Sequence, residues 1–180
     1  MVSMMRAHRI RLVALATVAA AIAIAAFAAT SGTRHATTDC TLEPGAHLAL
    51  TQSYRFVLRI GPVEGMLMPY QVRANHVKHG EVMLGGRMFV PTHGPLHHLE
   101  VHICARTTGG VIANAHPTIV LVDETNHRTP TKIPVAVMEG IDVGRADLHY
   151  GNTVAMPHHH RYTIRVTTKH ERAIFHLVAP

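Results

Sequence analysis

Between residues 54 and 178 the apolar side chains recur at every second position, in short runs separated by turns rich in glycine and proline. Tyr54, Phe56, Leu58 and Ile60 occupy one face of the first run, which stops at Gly61-Pro62. A period of two places alternate side chains on one side of an extended strand, whereas a helix needs a period near 3.6. Further runs cover 71–77, 82–90, 96–105, 118–123, 132–138, 161–168 and 172–178. Turn signals separate them at Lys78-His79-Gly80, Gly85-Gly86, Gly109-Gly110 and Thr129-Pro130. No segment after residue 30 carries a sustained helical stripe. Seven or eight strands at this spacing predict an all-β chain folded as an antiparallel sandwich. With few aromatic residues and no tryptophan, its core must be built from valine, leucine, isoleucine and methionine, and β-branched side chains favour strands.

The first thirty residues read differently. Arg6, His8, Arg9 and Arg11 form a basic head, and from Leu12 to Ala29 only Thr17 interrupts an apolar, alanine-rich run. This order predicts an export helix, with the domain outside the cytoplasm. Ala26-Phe27-Ala28 offers a small-residue cleavage site. The alternative is an uncleaved anchor, because about 18 residues at roughly 1.5 Å each nearly span a hydrocarbon core of about 30 Å. Residues 31–39 then form a polar linker and the domain occupies 40–180. The sequence pI near 9.9 comes from scattered basic residues without interleaved aromatics, which argues against nucleic acid as a partner.

Two cysteines in an exported chain can close one disulfide, so Cys40 and Cys104 are expected to pair, the alternative being a buried, free Cys104. Along 96–105, Leu99, Val101 and Ile103 fall on one face while His98, Glu100 and His102 fall on the other. Imidazoles and a carboxylate on one face suit copper, iron, nickel or zinc, although the same spacing also describes an ordinary solvated face. A second cluster, His149-Tyr150-Gly151-Asn152, combines an imidazole with residues that fit a tight turn.

The run His98-Leu99-Glu100-Val101-His102-Ile103-Cys104-Ala105 resembles the His-Leu-Glu-Ala-Asp-Ile-His-Ala signature of the bacterial periplasmic iron-transport family. His149-Tyr150-Gly151-Asn152 is similar to that family's His-Tyr-Gly-Ala-Asn segment, and 161–166 looks like the strand that follows it. The resemblance covers about residues 98–178. It implies an immunoglobulin-like sandwich that binds copper and is associated with iron uptake, and a membrane permease is a candidate partner. It also implies that His98, Glu100 and His149 are metal ligands or their close neighbours. The chain departs from the pattern where His102 replaces aspartate and Cys104 replaces histidine. The family's Met-Pro-Met segment is represented only by Met138, out of register, and 141–147 is extra sequence.

Met66, Met68, Met83 and Met88 could offer soft thioether sulfur to cuprous copper, but methionine more often fills a core. His158-His159-His160 reads as an exposed turn after Pro157. No Gly-x-Ser-x-Gly elbow, phosphate-cradling loop or His-Glu-x-x-His motif occurs, so enzymatic turnover is not expected. The expected function is reversible binding of a copper or iron ion in metal uptake or homeostasis. A sandwich of the cell envelope that serves as a non-catalytic interaction module is the alternative. Pairing of two copies through an edge strand is a further expectation.

Overall fold

The computed structural model describes Cys40, residues 42–169 and residues 171–180, all within one compact unit, Arg34–Pro180. The export helix and the whole of the linker expected from the sequence lie outside the described residues. The unit is mostly β and consists of two sheets. Its strands are β1 (His47–Leu50), β2 (Tyr54–Gly61), β3 (Met66–Leu67), β4 (Glu81–Gly86), β5 (Leu96–Ala105), β6 (Thr118–Asp123), β7 (Thr131–Ile133), β8 (Ala136–Gly140), β9 (His149–Ala155), β10 (Arg161–Thr167) and β11 (Arg172–Val178). One sheet runs β1-β2-β5-β9-β8-β4-β3, the other β11-β10-β6-β7. All pairings are antiparallel except β3 with β4.

The main core lies between the sheets. Phe56, Leu58, Leu99, Val101, Ile103 and Tyr150 meet Ile119, Leu121, Tyr162, Ile164, Val166 and Phe175 there. The apolar face read from 96–105 is thus the core face, with Leu99, Val101 and Ile103 fully buried.

Several boundaries differ from the sequence reading. Residues 71–77 do not form a strand: Pro69–Asn75 is a short helix, α1. Pro69 suits a first helical position, and the Gln71 side chain accepts a hydrogen bond from the Met68 N–H at 2.7 Å. Two turns are too few to display a stripe. The run 132–138 splits into β7 and β8, because Pro134 has no N–H for a ladder and the chain changes sheets there. The run 82–90 leaves its sheet after Gly86, where φ is +84° and an added Cβ would lie 2.2 Å from the Val135 carbonyl oxygen. Among the described residues eleven strands replace the expected seven or eight, since β1, β3 and β9 carry no clear alternation.

Cys40 and Cys104 form the expected disulfide, with Cα atoms 6.2 Å apart. It ties residue 40 to β5 and packs with Val57, Ala46 and Val111.

Candidate metal centre

The second face of the seven-stranded sheet carries the polar residues. On β5, His98, Glu100 and His102 alternate with the core residues, and Cys104 continues the same face. The sequence reading left this face either solvated or metal-binding with exposed ligands. It is covered: His98 is fully buried, Glu100 is 4% exposed and His102 is half-buried.

Three observations explain the cover. The disulfide cluster closes one end. At the other, Met66 and Met68 pack over Met83, Ala136 and Met138, so these methionines fill a small apolar cluster. Between the two, Glu64 brings a carboxylate oxygen within 4.8 Å of those of Glu81 and Glu100, which lays the segment after β2 across the site.

His149 opens strand β9, where a turn was expected at Gly151-Asn152. Each residue of this run has a distinct task. The Tyr150 hydroxyl donates to the Ile112 carbonyl at 2.5 Å and accepts from the Ala115 N–H at 3.0 Å. The Asn152 amide donates to the carbonyls of Arg87 and Pro134, and its oxygen accepts from the Phe89 N–H. Gly151 allows β9 to press against β5, for a Cβ there would lie 1.7 Å from the Leu99 carbonyl oxygen. Glycine is therefore demanded by close approach of two backbones inside a sheet and not by a turn.

A further participant, Glu81 at the start of β4, was not singled out in the sequence. Two strands, β9 and β8, lie between β5 and β4. In a flat sheet that separation is about 14 Å, more than two side chains can bridge. Yet His98 Nε2 lies 3.1 Å from Glu81 Oε1, and His149 Nε2 lies 3.3 Å from the same oxygen. The sheet must therefore curl toward this face, and the register shift between Met83 and Gly85 provides a bulge of the kind that bends strands. The only sequence signal was an acidic residue heading an otherwise apolar run.

Charge attraction between Glu81 and the imidazoles contributes to the convergence, but directed hydrogen bonds do not. Neither Nε2 directs a hydrogen bond at Glu81, and Glu81 Oε2 and His98 Nδ1 are also buried without partners. His149 Nδ1 donates to the Asp147 carbonyl at 2.7 Å, which leaves Nε2 as the lone-pair nitrogen of the neutral ring. Glu100 stands beside the trio, with Oε2 3.5 Å from His102 Nε2 and 3.9 Å from the Arg59 guanidinium. The ligand atoms of Glu81, His98 and His149 can form one group within 4.8 Å, and those of Glu100, His102 and His149 a second. Met138 is directly opposite His149 across β8 and β9 and is fully buried, packed in the apolar cluster of Met83, Ala136, Met66 and Met68.

Charge follows from the same packing. Burial would push the Glu81 carboxyl up, but the two imidazoles outweigh it and hold it down at about 2. Burial also opposes protonation of His149, yet Glu81, Glu100 and the Asp147 carbonyl raise it to about 9. The Glu100 carboxyl is likewise held below its usual value, as His102, His149 and Arg59 prevail over burial. Without a metal, the site at neutral pH thus holds two carboxylates and an imidazolium at His149.

Of the residues expected from the sequence, the structure brings His98, Glu100, His102 and His149 together and adds Glu81, with Glu64 at the edge. No family model matches the chain, and neither the curated proteins nor the solved structures contain a match to it.

Proposed function

We propose that the protein reversibly binds a divalent first-row metal ion, copper or iron, on the covered face of the seven-stranded sheet and serves metal uptake or homeostasis outside the cytoplasm. The observation that carries this reading is the set of buried nitrogen and oxygen atoms of His98, His149 and Glu81, converging to 3.1 and 3.3 Å without directed hydrogen bonds. Metal bonds of about 2.0–2.2 Å at a tetrahedral angle separate neighbouring ligand atoms by roughly 3.3 Å. The spacing therefore fits ligands sharing one ion. Two ionised carboxylates also balance a divalent cation when the imidazoles are neutral, which lowers the cost of placing charge in a buried site.

The residues divide the work. Glu81 and the two Nε2 atoms are the inner ligands, and the Asp147 carbonyl fixes the His149 ring. Glu100 and His102 form an adjoining pair that can complete the coordination. Export is supported by the basic and apolar order of the first thirty residues and by the disulfide, which suits an oxidising compartment. The resemblance to the bacterial periplasmic iron-transport family supports an immunoglobulin-like sandwich and delivery of the ion to a membrane permease.

The test is copper(II) and iron(II) titration of protein prepared without a histidine tag, in the wild type and in His98→Ala, His149→Ala and Glu81→Gln. Each variant should bind at least about tenfold more weakly, because even outer partners of a metal site contribute about 10–100-fold. Circular dichroism checks that each variant remains folded. Unchanged affinity in all three folded variants would leave an envelope interaction module whose buried polar cluster is structural.

A further inference from the structure

A second pair of histidines meets at the edge of the main core. His97 precedes His98 on β5, so it faces the opposite way, and it is 7% exposed. Its ring centroid lies 5.5 Å from that of His158, with the planes at 84°. The His98 and His149 rings stand 5.6 Å apart at 83°. The two pairs thus share one geometry on opposite sides of the same sheet.

Their ring nitrogens correspond as well. His97 Nε2 is buried and free of any hydrogen bond. His158 Nδ1 is bonded to the main-chain oxygen of Pro180, which leaves Nε2 with the lone pair. His149 is held in this same way by the Asp147 carbonyl. An edge-on contact between rings is ordinary aromatic packing. Packing alone gives no reason for a buried ring nitrogen with no hydrogen-bond partner, an arrangement that lowers stability.

We propose that His97 and His158 form a second metal position that takes a borderline divalent cation, of the nickel(II), zinc(II) or copper(II) class, through their two Nε2 atoms. Imidazole suits these ions. With bonds of about 2 Å from each lone-pair nitrogen, two rings sharing an ion have centroids roughly 4.5–6.5 Å apart, and the observed spacing falls inside that range. His97 supplies a fixed inner ligand, while exposed His158 leaves the outer positions of the ion to water. The other two histidines of the run are placed differently. His160 Nδ1 is 3.1 Å from Asp123 Oδ2, and the His159 ring is 6.4 Å from that of His158. The site depends on none of the residues at the first centre.

Nickel(II) titration calorimetry of the full chain, prepared without a histidine tag, tests the proposal. His158→Ala alters an exposed side chain and should weaken one binding step by about tenfold or more. That step should survive both His149→Ala and His159→Ala. His97→Gln should weaken the same step, and if this buried variant fails to fold, the His158 variant decides. If no step responds to His158→Ala, or if His159→Ala removes the step as fully, the proposal is overturned.

Discussion

The two sheets obey the same period of two and yet have different outer faces. In the four-stranded sheet, β11 alternates between exposed and buried residues along its whole length, with Ala173, Phe175 and Leu177 in the core and Arg172, Ile174, His176 and Val178 outside. In the seven-stranded sheet, the central strands β5 and β9 are buried on both faces over most of their length. One sheet ends in solvent, and the other ends in a packed layer of disulfide, carboxylates, imidazoles and methionines. A polar side chain facing water needs no partner, whereas a buried one requires hydrogen bonds, an opposite charge or a metal. The contrast explains why the functional residues cluster on the covered face.

The contrast predicts its own largest effect. In metal-free protein at neutral pH, Glu81→Gln removes the counter-charge from a buried imidazolium at His149. Breaking such a pair costs about 3–5 kcal/mol, so chemical denaturation should show a loss approaching that range. A loss below about 1 kcal/mol would mean that this layer is as wet as the outer face of the other sheet. Next comes Gly151→Ala, whose Cβ would meet the Leu99 carbonyl oxygen. Overpacking costs about 1–3 kcal/mol, and the contact with backbone places this substitution at the upper end, measurable as a lowered melting temperature.

Acidity sharpens the comparison further. Glu81 is held at about 2 in the fold, below its usual value, so its contribution is complete above about 4.5 and fades as pH falls toward 2. His149 is raised to about 9, so its contribution is complete below about 6.5 and fades as pH rises through 9. Metal-free protein should consequently gain most from this pair between about pH 4.5 and 6.5. Metal binding must displace the His149 proton, so apparent affinity should rise with pH until about 9, by up to about tenfold per unit for one proton. Titrations at several pH values measure that slope, and a flat profile would remove His149 from the ligand set. The smallest effect belongs to the open sheet: Ile174→Ala should change stability by no more than about 0.5 kcal/mol and leave metal affinity unaltered.

Much of the fold was legible because alternation is a local property of the chain. The reading of 96–105, 118–123 and 172–178 coincides with β5, β6 and β11, each bounded by turns and apolar on one side. It failed at β9, where burial of both faces erases alternation and Gly151-Asn152 imitates a turn. It failed also at α1, which is too short to show a stripe. In the candidate site, His98, Glu100 and His102 were recognisable as one face, and His149 through a family resemblance. Glu81 was not, for nothing near it in the chain differs from an ordinary strand start.

By itself, then, the sequence determined which side chains share a face, since the pleat assigns them residue by residue. It also determined the disulfide pair in principle, because only two cysteines are present. Whether the polar face meets water or a second layer was decided only by the tertiary structure. The curl of the sheet, the segment after β2 and the closeness of β9 to β5 are contacts between residues far apart in the chain. Those contacts carry Glu81 across two intervening strands to His98 and His149, and they make a polar strand face into a buried centre with a charge to balance.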